Sequence, residues 1–317
     1  NSGKAGMIPW LILTRAVHFG ACLLFFGLFF FHLFTAPALT RWRPEITSYW
    51  KIRLRRFCLI LLPVILVSGA AWFALVAITM SGQPFQTALL KIVWKQTEFG
   101  TVWKIRLVLF LVAGIVVALS CFQKSEGPFQ KFMDWFQLAI NGCLLGSLAW
   151  AGHGQESSPW HLGADALHLL AAGIWPAGLL PLFLLLQKSR EIKAQPDWLA
   201  VAEMVHRFSV ISLAAVSLLA VTGFINSWFL VGSFSNLIGQ PYGRWLLVKI
   251  LLFALTLQVA AVNLLVLKPR LAFEMEQKRY PDATVSLIRA NVRFELILGI
   301  LIVVIVAILG ILPPAIH

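Results

Sequence analysis

Eight apolar stretches separated by short basic connections constrain this chain more than any other feature. Their approximate limits are 8–35, 57–80, 103–123, 133–151, 162–187, 207–232, 244–267 and 290–312. A hydrocarbon core about 30 Å thick takes about 20 mostly apolar residues of helix to cross, and in lipid the backbone must satisfy its own polar groups. The expected fold class is therefore an all-α integral membrane protein with eight transmembrane helices, forming one membrane domain over 1–317. Composition agrees, with 59% hydrophobic residues, 12% charged and a mean hydropathy of +0.83, where a soluble surface needs about a quarter charged. An ordinary soluble enzyme is excluded. No cleavable signal peptide is visible, and Asn1 to Gly6 read as a foreign leader before an initiator Met7.

The formal charge of +13 does not imply nucleic acid, because the basic residues fall in short runs between spans. Assigning alternate connections to opposite sides puts 18 of them, from Arg41 and Arg43 to Arg289 and Arg293, on one face and 8 on the other. Positive residues stay cytoplasmic, so both termini are expected outside, in the periplasm of a bacterial inner membrane. In the one long outer connection, Pro84 is followed by Phe85, Leu89, Ile92 and Val93, with Lys91 and Lys95 opposite. That pattern predicts an amphipathic helix lying in the interface.

The two halves carry matched features in the same order. His18 in the first span pairs with His168 in the fifth, and Arg56-Phe57 with Arg207-Phe208. Ser68-Gly69 with Trp72 pairs with Thr222-Gly223 and Trp228, and Phe99-Gly100 with Arg106 pairs with Tyr242-Gly243 and Lys249. Four spans separate the halves, so the expected organisation is two parallel four-helix repeats, 8–151 and 162–312, about an axis along the membrane normal.

At 1.5 Å per residue His18 lies roughly 15 Å and His168 roughly 10 Å in from the outer ends of their spans. Ionisable groups at that depth usually face the bundle interior, where two imidazoles either bind one metal ion or sit on the two faces of a haem. The outer connection between the fourth and fifth spans holds His153 and His161, and His161, Asp165 and His168 share one helical face that Trp175 continues. Histidine with carboxylate suits copper or zinc, and Asp165 could instead fix a histidine tautomer. Cys22, one turn after His18, and Met80 near the outer surface are further soft donors in reach of Cu(I), each weighed against simple packing. His32 is a possible inner relay point. Asn226 and Asn263 read as interhelical hydrogen bonders, and Gly142 with Gly146 as a close-packing face. The four cysteines, Cys22, Cys58, Cys121 and Cys143, have neither CxxC spacing nor a disulfide pattern. No P-loop, HExxH or GxSxG motif occurs, so neither an ATP-driven pump nor an enzyme is expected.

These residues resemble the copper resistance protein D family. The likeness rests on Arg15-Ala-Val-His18, Gly152-His153, the block from Ala166-Leu-His168 to Trp175 and Gly178, Tyr242-Gly-Arg-Trp-Leu-Leu-Val-Lys249, and Ala261-Val-Asn263 with Pro269-Arg270. It covers essentially the whole chain. One departure is Ala177, where a glycine is common, and Pro176 beside it predicts a kink in the fifth span. The resemblance implies an eight-span inner-membrane protein that handles copper, moving it from periplasm to cytoplasm with a periplasmic copper-binding CopC-like partner. It maps the metal ligands to His18, His153, His161 and His168, with the copper ion as Cu(I) or Cu(II). Two alternatives stay open: a haem b electron carrier or cupric reductase with bis-histidine ligation, and a copper sensor or scaffold that does not transport. The residues carry no signal for oligomeric state.

Overall fold

With no water to bond the peptide groups, apolar runs of this length close their own hydrogen bonds as helices. The computed structural model describes residues 2–40, 44–81, 86–122, 127–151, 159–189 and 195–315, and these are almost entirely helical, without a strand among them. In order they are α1 (Ser2–Phe34), α2 (Pro37–Thr40), α3 (Pro44–Ser81), α4 (Thr87–Gln96), α5 (Glu98–Phe122), α6 (Pro128–Gly146), α7 (Pro159–Ile174), α8 (Leu179–Ser189), α9 (Gln195–Val231), α10 (Phe234–Gly239), α11 (Pro241–Val262), α12 (Lys268–Glu276) and α13 (Asp282–Leu309).

Seven helical stretches among the described residues are long and apolar enough to cross a membrane: Gly6–Phe34, Glu45–Ser81, Glu98–Ser120, Pro159–Lys188, Trp198–Val231, Pro241–Glu276 and Asp282–Leu309. The fourth expected span, 133–151, is instead α6, a 19-residue helix that tightens into a 3-10 turn at Ser147–Ala151. The physical reason is its polar face. Gln137 and Asn141 are 1% exposed, and the Asn141 amide donates to the Phe25 carbonyl at 3.1 Å, so these groups face α1 rather than lipid. Elsewhere the helices overrun their apolar limits, because Lys51, Arg53, Arg55 and Arg56 continue the α3 helix past the hydrocarbon.

Two spans form the centre. The apolar windows of α1 and of α7–α8 are each 61% buried, against 11% for the span through α11 and α12, and these two central helices carry His18 and His168. Glycine lets them meet: a Cβ on Gly27 would come within 2.5 Å of the Gly173 carbonyl and 2.7 Å of Ala177 Cβ. The expected kink at Pro176 is a full break, with α7 ending at Ile174 and α8 starting at Leu179. Around this pair α1 packs on α3, α6 and α13, and α7 packs on α6 and α9.

The expected interfacial helix is α4, whose Val93 is buried and whose Trp94 meets Phe73 edge-on; Pro84 and Phe85 lie outside the described residues. Asn263 opens a π-helical stretch, Asn263–Leu267, next to Pro269. A proline ring clashes with the carbonyl four residues back, and a widened turn relieves the clash.

Candidate metal centre

The first imidazole is held on both nitrogens. His18 Nδ1 lies 3.1 Å from Ser68 Oγ, and that hydroxyl donates its own proton to the Val64 carbonyl one turn back. Ser68 must therefore accept from His18 Nδ1–H, which leaves the lone pair on Nε2. Arg106 Nη2 donates to that lone pair at 2.7 Å. Cys22, one turn further along α1, brings its Sγ to 3.8 Å from the same Nε2 and 3.8 Å from Arg106 Nη2. Trp72 and Trp103 close over the ring with centroids 5.6 Å away, and the wall there is tight enough that a Cβ on Gly69 would meet His18 Cε1 at 3.0 Å.

The second imidazole is held on one nitrogen. His168 Nδ1 lies 2.9 Å from Thr222 Oγ1, and Thr222 donates to the Leu218 carbonyl at 2.6 Å. The same tautomer follows, with the lone pair on Nε2, and among the described residues no side chain donates to it. Gly223 again makes room, since a Cβ there would sit 3.3 Å from His168 Cε1. Lys249 of α11 interacts electrostatically with both His168 and Asp165. In each half, a hydroxyl on the next long helix orients the ring, a glycine beside that hydroxyl admits it, and a cation from the helix after that stands nearby.

The other expected residues are placed as follows. Asp165 does not bond His168; its Oδ1 accepts from Asn226 Nδ2 at 3.1 Å, so Thr222 rather than Asp165 fixes the tautomer of His168. His161, in the first turn of α7, is 2% exposed and stacks on Phe229 with centroids 5.0 Å apart. Trp175 is buried against Phe253 in the break between α7 and α8. Met80 ends α3 with 64% exposure. His153 lies outside the described residues. The two imidazoles share no hydrogen-bond partner, and among the described residues no three His, Cys, Asp or Glu side chains gather as a ready-made metal cage.

Sequence reasoning named Arg106 and Lys249 only as repeat markers and missed their place beside the imidazoles. Their spacing from an aromatic-glycine pair was the available signal. It also missed a polar seam between α1 and α6. His18, Cys22, Phe25, Phe29 and His32 follow one face of α1 at alternating steps of four and three residues, the spacing of a helical contact row. Against them α6 sets Leu144, whose carbonyl accepts from Arg106 at 2.8 Å, then Asn141 with Gln137 at 2.8 Å, then Asp134 at 3.4 Å from His32. Trp50 donates to the other nitrogen of His32 at 3.1 Å. Farther out, Glu295 is 2% exposed and accepts from Asn263 at 2.7 Å, which in turn accepts from Asn291 at 2.8 Å.

The fold and site define a class: a multi-pass α-helical membrane protein with two hydroxyl-oriented histidines, one buried and one half-buried, on its two central helices. Two sequence profiles match the chain, copper resistance protein D over residues 202–309 and the copper resistance protein D-like N-terminal domain over residues 7–164. The copper resistance protein D of Pseudomonas syringae pv. tomato is 30% identical over 224 residues, 69% of this chain and 70% of that one. The copper transport protein CutJ of Bacillus subtilis is 30% identical over 275 residues, 84% of this chain and 48% of that longer protein. The inner membrane protein YebZ of Escherichia coli is 27% identical over 312 residues, 96% and 98% of the two chains. The chain belongs to the copper resistance protein D family.

Proposed function

We propose that this protein carries copper between periplasm and cytoplasm across the bacterial inner membrane, with His168 and His18 as two separate ligand stations in the outer half of the bilayer. His153 and His161 are the outer capture ligands in this reading, His153 on sequence alone. Its topology is that of eight spans in two parallel repeats with both termini periplasmic, and a CopC-like periplasmic protein is the partner suited to load the outer mouth. The observation that carries the reading is the orientation of His168. A metal-binding histidine typically gives its second ring N–H to a fixed acceptor, which sets the tautomer and aims the lone pair, and Thr222 does this while no side chain among the described residues donates to the lone pair on Nε2. The names of relatives, a copper resistance protein and a copper transport protein, point to the metal.

The haem alternative gains nothing from this geometry. Trp72 and Trp103 pack on the His18 ring and leave no flat slot for a porphyrin, whereas a single ion needs only the one nitrogen. The test is equilibrium copper binding by the detergent-purified protein. His168→Ala should lose the tightest-bound copper while keeping its gel-filtration profile. Full stoichiometry and affinity in that variant would remove His168 from the site.

A further inference from the structure

Arg106 is the residue in the bundle whose position most needs explaining. It is 2% exposed, and among the described residues it makes no ion pair and its Nε has no hydrogen-bond partner. A buried guanidinium without a carboxylate is costly. What holds it are two neutral oxygens for Nη1, the Leu144 carbonyl at 2.8 Å and Ser147 Oγ at 2.6 Å, and two soft donors for Nη2, His18 Nε2 at 2.7 Å and Cys22 Sγ at 3.8 Å. Nitrogen and sulfur lone pairs converging on one point form the donor set of a soft metal ion, and here a guanidinium nitrogen occupies that point.

We propose that His18 and Cys22 are a two-donor site for Cu(I), and that Arg106 is its tethered competitor, whose guanidinium withdraws as the ion enters. The proposal rests on the copper reading above and adds to it a thiolate ligand and the residue that sets the site's threshold. The span between the donors fits. With metal–nitrogen and metal–sulfur bonds of about 2.0 and 2.3 Å, as for zinc, donors 3.8 Å apart subtend about 125° at the ion. That angle is trigonal, so a third position stays open on the ion for a donor to arrive or leave. The charge balance fits too. One Cu(I) enters, bonds to Nε2 and Sγ form, the Cys22 S–H bond breaks, and its proton leaves to water, so the pocket's net charge is unchanged. Arg106 then gains in the Cys22 thiolate the anionic partner it lacks. Nη1 can stay on α6 while Nη2 swings, which makes the anchor at Leu144 and Ser147 the hinge of the movement. The other half has no such device, because the position one turn after His168 is Ala172. The two stations therefore differ, with a guarded nitrogen-sulfur pair in the first half and an open imidazole in the second.

The test uses the full-length protein in detergent under anaerobic conditions, with Cu(I) titrated against a chromophoric Cu(I) chelator. Arg106→Gln keeps polar groups at the position but removes the charge and the fork, and it should bind Cu(I) at His18 and Cys22 at least tenfold more tightly than wild type. X-ray absorption of that copper should show one sulfur neighbour at about 2.3 Å, and adding Cys22→Ser should erase both the gain and the sulfur. Arg106→Lys, which keeps the charge but cannot reach α6 and His18 together, should give a smaller gain. No gain in either variant, or a gain that survives Cys22→Ser, would overturn the proposal. Collapse of both variants on gel filtration would overturn it as well, by making Arg106 a structural pin. Copper lost on His168→Ala in all these backgrounds keeps the wider copper reading standing whichever way Arg106 falls, and a wild type that binds no copper would sink that reading instead.

Discussion

A threonine hydroxyl decides where the lone pair of His168 points. Thr222 spends its proton on the Leu218 carbonyl, so it can only accept from Nδ1. Replacing it with valine keeps the shape and removes the acceptor. Loss of such an outer partner typically lowers metal affinity about 10- to 100-fold, and Thr222→Val should show a loss in that range by chelator competition. Unchanged affinity would mean that the hydroxyl orients nothing that matters for copper. This partner was half legible in the sequence. The helical-face arithmetic put Asp165 three residues before His168, within reach as one possible orienting group, yet Asp165 bonds Asn226 on α9 instead. The true partner lies 54 residues away, a distance that no local periodicity measures. What did point to it was the recurrence of a small hydroxyl-glycine pair in both halves, Ser68-Gly69 and Thr222-Gly223.

Helices in this bundle are placed by where they lack side chains as much as by what they carry. Gly27 lets α1 lie against the break in α7, with the Gly173 carbonyl and Ala177 Cβ both closer to an added Cβ than such atoms normally come. Both obstacles belong to backbone or to a rigid methyl, so neither can move aside cheaply. Gly27→Ala is expected to lower stability by about 1–3 kcal/mol, the usual range for overpacking a close contact. Thermal unfolding in detergent, read by size-exclusion loss of the monodisperse peak, should register it as a lower midpoint, while Gly114→Ala, whose added Cβ would meet nothing within 4 Å, should raise the midpoint or leave it unchanged. Spans were the most legible elements, because lipid imposes length and hydropathy together. The exceptions have a common cause. Helix α6 is less apolar than the seven long stretches because it carries Gln137 and Asn141 on a buried face, and α3 and α9 run beyond their apolar limits because a helix does not stop where the hydrocarbon does. Gln137 and Asn141, four residues apart within an otherwise apolar run, were the sign that α6 buries a polar face.

At the scale of the molecule, the two halves place one histidine each on the two most buried spans, and each histidine meets a hydroxyl and a glycine from the next long helix. Order and spacing in the sequence foretold that parallel. They did not foretell that one imidazole would be guarded by a guanidinium, because that difference depends on the thiol of Cys22, replaced by Ala172 in the second half, and on the reach of Arg106 to His18 Nε2, which its counterpart Lys249 does not match with a hydrogen bond to His168 among the described residues. In the proposed reading, an open station and a guarded station lie on a path along which an ion is handed on. Copper entry into sealed proteoliposomes measures this directly. The account predicts entry well above protein-free liposomes for the wild type and entry at the protein-free rate for His168→Ala, with both proteins reconstituted to the same density. Wild-type vesicles that bind copper but admit it no faster than protein-free ones would contradict the account and make the protein a copper sensor or scaffold.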